Sequence, residues 1–291
     1  MKTYIATALL LGATQLVSAQ GTDTNSVKKG ITAIHVQVGG TSCSPIALTA
    51  SELTHMYPTS SILNHESFTI LGNIISGYSS PRQPWSIASN LNLNLSFQPK
   101  RSPATLRFGA IYQSQYSAAN FNHMLSSSST FDTLTSSATG EIYLIDSIQN
   151  NSFMVSTNLT YIGLDHSLIF QTKHQRFNAY AGIGLSALVS VNAHTQINYK
   201  SSTVYNHFYA TLPREEIRST ETETIKIPTS VQGRLYIPIG LDLKLGKQDN
   251  LIGNTSLHVE WRPTLLIQKL PTLSTNLSFA STSLIGLTYK L

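Results

Sequence analysis

Asp165-His166-Ser167 places an acid, an imidazole and a hydroxyl in consecutive positions, the groups from which a nucleophilic triad is assembled. Their adjacency argues against that chemistry on an extended strand, where successive side chains point to opposite faces and His166 is parted from both neighbours. The histidines scatter, with His55, His65, His123, His194 and His207 among those in segments read as loops. None shows the i, i+4 spacing or Cys/His clustering of a metal site. The residues therefore point to no catalytic, cofactor-binding or metal site and to a chain that is not an enzyme. A third set is more informative. Arg107, Arg234, Asp242, Lys244, His258, Glu260 and Arg262 are each flanked by apolar residues at alternate positions. Two readings of that set stand open: a charged, substrate-selecting pore, or a salt-bridge network filling a narrow interior.

The elements that position these charges read with a period of two, as a strand with two different faces must. From Phe177 to Ala193, one parity carries Phe177, Ala179, Ala181, Ile183, Leu185, Ala187, Val189 and Val191, and the other Asn178, Tyr180, Gly182, Gly184, Ser186, Leu188, Ser190 and Asn192. Within Val231 to Leu245, Leu235, Ile237, Ile239, Leu241, Leu243 and Leu245 alternate with Arg234, Tyr236, Pro238, Gly240, Asp242 and Lys244. Leu91 to Phe97, Leu257 to Leu265 and Phe279 to Leu291 repeat the theme. Charges at the second parity are costly in a dry sandwich core but tolerable in a wet interior. The pattern predicts a sheet with lipid on one side and a polar lumen on the other.

Composition agrees. Charged residues make up 11% of the chain, against about 25% in an ordinary soluble domain, while the mean hydropathy is only -0.02. A helical membrane protein needs apolar runs of about 20 residues, and none follows the N-terminal segment. A transmembrane barrel satisfies both facts, because lipid-facing and lumen-facing side chains average out along every strand. Lysines and arginines are dispersed rather than gathered, so the net charge of +5 carries no nucleic-acid footprint. Met1-Lys2-Thr3, the apolar stretch Ile5 to Val17 and the small residues Val17-Ser18-Ala19 read as a secretory leader over residues 1–19, with a mature chain from Gln20. The single cysteine, Cys43, excludes an internal disulfide.

Connection lengths then fix a topology. Short turns at Gln98–Pro103, Thr172–Gln175 and Gly246–Gly253 alternate with longer polar connections at Ala119–Asn151 and His194–Thr229 and a shorter one near Lys269–Asn276. Outer-membrane barrels pair short periplasmic turns with longer external loops in this way. With a first strand at Ser67–Tyr78, the chain is expected to be all-β, a transmembrane antiparallel up-and-down barrel of eight strands spanning 66–291. Residues 20–65 are expected to form a periplasmic extension or an extra strand. If Ile31–Gly39 joins the wall, ten strands are possible. Glu141–Gln149 and Glu221–Ile227 are expected to extend hairpins above the membrane, and Trp85, Tyr112, Tyr116, Tyr161, Trp261 and Tyr289 to supply interfacial girdles.

Tyr180-Ala181-Gly182-Ile183-Gly184-Leu185-Ser186 and Gly286-Leu287-Thr288-Tyr289-Lys290-Leu291 resemble the outer-membrane β-barrel proteins of Bacteroidota and, more broadly, small barrels of the outer-membrane protein A type. The resemblance in rhythm covers about Ser67 to Leu291. It implies a porin-like or OmpA-like barrel inserted by the barrel assembly machinery, which reads alternate apolar residues in the final strand. Ile285, Leu287, Tyr289 and Leu291 match that pattern, with Leu where Phe is common at the terminus. The expected function is a non-enzymatic outer-membrane barrel, either a narrow channel or a structural and interaction barrel. Its expected partners are outer-membrane lipid, the assembly machinery and an extracellular partner met by the long loops, with no nucleic acid and no cofactor. A membrane-embedded lipid-modifying enzyme and a soluble secreted barrel binding an apolar ligand are the alternatives.

Overall fold

The computed structural model describes residues 31–43, 50–65, 68, 82–98, 104–172, 176–206, 214–246, 252–270 and 275–291. Strand β1 covers Ile31–Cys43, a short helix α1 Ala50–Met56, β2 Arg82–Phe97, β3 Ala104–Thr135, β4 Ile142–Gln171 and β5 Phe177–Asn206. They are followed by β6 Arg214–Lys226, β7 Val231–Tyr236, β8 Ile239–Lys244, β9 Thr255–Lys269 and β10 Thr275–Lys290. All pairings are antiparallel: β1–β2, β2–β3, β3–β4, β4–β5, β5 with β7 and β8, both of these with β9, β9–β10, and β10 back to β1. The sheet closes into a ring of eight wall positions, because β7 and β8 are two halves of one position. Closure leaves no unpaired edge within the ring.

The β7/β8 break has a local cause. Pro238 cannot donate to a ladder, so pairing lapses after Tyr236 and resumes at Ile239. The strand line is kept by the Ile237 amide, which donates to the Pro263 carbonyl (3.1 Å), and by Gly182, whose amide donates to the Pro238 carbonyl (3.0 Å).

The count of eight agrees with the sequence reading, but the first strand is a different one. Ile31–Cys43 pairs directly with both β10 and β2 and supplies the first wall strand, while the strand expected at Ser67–Tyr78 lies almost wholly outside the described residues. Of that segment only Phe68 lies among the described residues, and it is helical. The described residues between 31 and 65 thus supply a wall strand and a helical segment. Ile31–Gly39 does join the wall, yet the ring stays at eight because this strand is itself the first wall position, and β6 pairs with the upper part of β5 off the ring path. The polar connections Ala119–Asn151 and His194–Thr229 are largely strand: β3, β4 and β5 run 32, 30 and 30 residues, against 13 for β1. One side of the wall therefore rises well above the other as an open β3–β4–β5–β6 sheet.

Below the rise, every wall position exposes apolar side chains: Val36 and Val38 on β1, Leu91 and Leu93 on β2, Phe108 and Tyr112 on β3, Leu164 and Leu168 on β4, Ile183 and Leu185 on β5. Leu235 on β7, Leu241 on β8, Val259 and Trp261 on β9, and Ile285 and Leu287 on β10 complete the circuit. Such a continuous apolar belt has hydrocarbon as its natural solvent, and the ladder behind it satisfies the backbone internally. Tyr112, Trp261 and Tyr289 face outward as expected of girdle residues, whereas Tyr161 is fully buried on the inner face. On β4, Tyr161 has the same parity as Asp165, and parity overrides the preference of an aromatic phenol for an interface.

Candidate functional site in the barrel interior and above it

The sequence-assigned interior residues meet inside the ring. Glu260 on β9 is held by Arg107 of β3 (Nη1 to Oε2, 2.7 Å), by Arg262 on its own strand, and by the Tyr180 hydroxyl of β5, which donates at 2.6 Å. Arg262 reaches on to Asp165 of β4 (3.2 Å), whose other oxygen accepts from the Tyr236 hydroxyl at 2.5 Å. Arg107 Nε also donates to Ser167 Oγ (3.1 Å). The guanidinium carbons of Arg107 and Arg262 lie 5.5 Å and 4.6 Å from the ring centroids of Tyr180 and Tyr236. Each buried carboxylate has at least one arginine and one tyrosine partner, which offsets a desolvation cost that either charge alone could not bear.

Amides and imidazoles extend the network. Gln37 Oε1 accepts from Arg262 (3.2 Å) and Asn94 (3.1 Å), and its Nε2 lies 2.6 Å from His258 Nε2. The Thr288 hydroxyl links His258 and His35, at 3.1 and 2.8 Å. Asp242 and Lys244 are half-buried near the end that carries the short turns. A cavity of about 30 Å³ at that end is lined by His35, Ser96, Arg107, Tyr180, Asp242 and His258. It has room for water-sized occupants only.

Two glycines make the packing possible. Gly184 is paired with Tyr236, and Gly240 with Tyr180. A Cβ at Gly184 would overlap the Tyr236 ring, and one at Gly240 the Tyr180 ring. Each phenol thus lies flat across the opposite glycine with its hydroxyl aimed at a carboxylate. This accounts for Tyr180 and Gly184 in the Tyr-Ala-Gly-Ile-Gly run at 180–184. The Asp165-His166-Ser167 run does not form a triad. Asp165 and Ser167 point inward to arginines, while His166 faces outward with its ring edge against Phe108, centroids 4.4 Å apart. His194 and His123 lie in strands and His55 in α1 rather than in loops. Among the described residues, no group of three His, Cys, Asp or Glu side chains has metal-holding geometry.

Above the belt, α1 and the turn after it lie against the inner face of the raised wall. Leu53, Tyr57, Ile62, Leu63 and Phe68 pack on Phe153, Val155 and Leu159 of β4 and on Ala193, Ile197 and Tyr199 of β5. Phe68 meets Phe153 edge-on at 5.0 Å, and Phe153 stacks on Tyr199 at 4.7 Å. Polar contacts fix the register: Tyr57 Oη lies 2.7 Å from Thr195 Oγ1, and Glu223 Oε2 of β6 accepts from Ser60 Oγ (2.7 Å) and the Ile62 amide (3.4 Å). Burial pushes the Tyr57 phenol pKa up, and the Thr195 hydrogen bond pulls the other way. Because Ile111 and Leu188, inward residues of the ring itself, belong to the same cluster, the helical segment roofs the lumen.

Sequence reasoning did not find this cap, Gln37, or the roles of Tyr180 and Tyr236. The signal for the raised wall was present one phase out: Ala193, Thr195, Ile197 and Tyr199 alternate with His194, Gln196, Asn198 and Lys200. The phase slips because β5 carries an extra residue against β4, between the pairs Thr160–Asn192 and Tyr161–Ser190. Such a bulge switches which parity faces in.

No family model matches the chain, and no curated protein matches it. Among solved structures it is similar to Neisserial surface protein A, with 12% identity, TM-score 0.33, and coverage of 89% of this chain and 99% of that one. It is also similar to Ail, the attachment invasion locus protein of Yersinia pestis, at 11% identity and TM-score 0.26, covering 90% and 100%. The translocator domain of the autotransporter NalP from Neisseria meningitidis follows at 9% identity and TM-score 0.20, covering 100% and 98%. These neighbours are outer-membrane β-barrel proteins. They give no support to the narrower likeness to Bacteroidota barrels, which rests on the two short motifs alone.

Proposed function

We propose that this chain is exported by its N-terminal leader, resides in a bacterial outer membrane, and works through the surface it raises above the membrane rather than by passing solutes through its lumen. The observation that carries this reading is the filled interior: Arg107, Arg262, Glu260, Asp165 and two tyrosines interlock across the ring, and α1 covers the far end. An eight-stranded barrel is just wide enough for its side chains to fill it. The outward alternation of Ile285, Leu287 and Tyr289 on β10 supports insertion by the barrel assembly machinery. In the raised sheet, β6 pairs with β5 alone among the described residues. Its second edge suits an extracellular protein partner that adds a strand.

Purified, refolded protein is expected to migrate faster on a detergent gel before heating than after, to resist carbonate washing of membranes, and to give no steady current in a planar bilayer. An unshifted band with release by carbonate would overturn the membrane reading. A stable, ion-selective conductance would overturn the filled lumen. A lipid A mass profile that changes only when the protein is present would favour an enzyme instead.

A further inference from the structure

Arg234 of β7 stands apart from the ion-pair network. It points inward and is only 9% exposed, and the carboxylates of Glu260 and Asp165 are occupied by Arg107 and Arg262. Among the described residues no carboxylate comes within ion-pair distance of it. Its Nη2 donates instead to two amide oxygens, Gln113 Oε1 of β3 and, at 2.9 Å, Gln232 Oε1 of β7.

Those two hydrogen bonds fix both amides. Turning either one over would set an NH₂ against the guanidinium, donor facing donor. The amide oxygens therefore take Arg234 Nη2, and the amide nitrogens are turned away from that atom. Gln113 and Gln232 are completely buried, and Gln113 Nε2, Gln232 Nε2 and Arg234 Nε donate to no group among the described residues. The site thus offers three buried donors beside a guanidinium that no carboxylate touches among the described residues. A carbonyl or hydroxyl would meet the donors but not the charge. A buried, uncompensated guanidinium is strongly disfavoured.

We propose that Arg234, Gln113 and Gln232 bind a small monovalent anion of the halide class, a counter-ion built into the upper lumen. The anion accepts from all three nitrogens and pairs with the Arg234 charge. This site is separate from the Glu260 network, and it is independent of whatever partner the raised sheet meets.

Bromide is the probe. Crystals of the full mature chain grown or soaked in bromide are expected to show an anomalous peak within hydrogen-bonding distance of Arg234 Nε. In micelles, the temperature at which the folded band is lost should fall when chloride is replaced by gluconate at constant ionic strength. Arg234→Gln should abolish that dependence. If that variant does not fold, Gln232→Leu, which keeps the charge and removes one donor, should weaken the dependence and lower the bromide peak. Bromide found only at surface positions, or a wild-type halide dependence retained unchanged in a folded Arg234→Gln or Gln232→Leu variant, would overturn the proposal.

Discussion

In the belt, strands β4 and β5 put Leu164, Leu168, Ile183 and Leu185 outside and Asp165, Ser167, Gly184 and Ser186 inside; in the raised wall the same strands put Asn158, Gln196 and Asn198 outside and Phe153, Leu159, Ile197 and Tyr199 inside. The polarity of the sheet inverts along a single pair of strands. The sheet has not changed, but its solvents have. Where hydrocarbon lies outside, the interior must hold the polar groups. Where water lies outside, the inner face becomes a conventional apolar core and needs an apolar partner, which α1 and its turn supply. On β5 the change is marked by the bulge near Val191, with Val191 and Asn192 both exposed there.

Glu260→Ala attacks the lower region hardest. It leaves Arg107 and Arg262 buried without their shared acid, at a cost of roughly 3–5 kcal/mol. Urea unfolding in micelles, followed by gel mobility, should show a midpoint far below that of wild type, and an unmoved midpoint would mean that the network does not hold the ring. Leu241→Arg tests the outer side of the belt. It should destabilise by roughly 2–4 kcal/mol if the site is near the bilayer midplane, whereas Thr224→Arg, on the exposed face of β6, should change stability by less than about 0.5 kcal/mol. Equal effects at the two sites would erase the distinction between the regions. Gly184→Ala gives the smallest loss of the three substitutions within the ring. Its methyl pushes the Tyr236 ring off Asp165, overpacking of a kind that costs about 1–3 kcal/mol. A crystal structure of this variant with Tyr236 unmoved would show that the ring does not need the glycine.

The belt was legible in the sequence because lipid imposes alternation on every strand crossing it, as the run from Leu235 to Leu245 shows. The interior charges were legible for the same reason: Arg107, Arg234, His258, Glu260 and Arg262 have the parity their positions require. Strand β1 was less so, since its outward apolar residues Val36 and Val38 are followed by Gly39-Gly40, leaving a short weak signal. The raised wall read as loop because its outer face, with Gln196, Asn198, Thr220, Thr222 and Thr224, meets water, and half of an amphipathic strand in polar company resembles a connection. The cap could not be read at all from periodicity. Seven residues of helix give too few turns to show a face, and what orders Leu53 and Tyr57 is a wall contributed from far along the chain.

Cys43 at the end of β1 is the direct ladder partner of Ser86 on β2. The chain therefore leaves the wall and returns to it at neighbouring points, with α1 and its turn contained in the excursion between them. Topologically this is an insertion at a hairpin tip. A tight two-residue turn of the Asn-Gly kind spans such a gap. The roof of the lumen is in that sense an insertion into a ring that closes without it: none of the eight wall positions has α1 as a ladder neighbour.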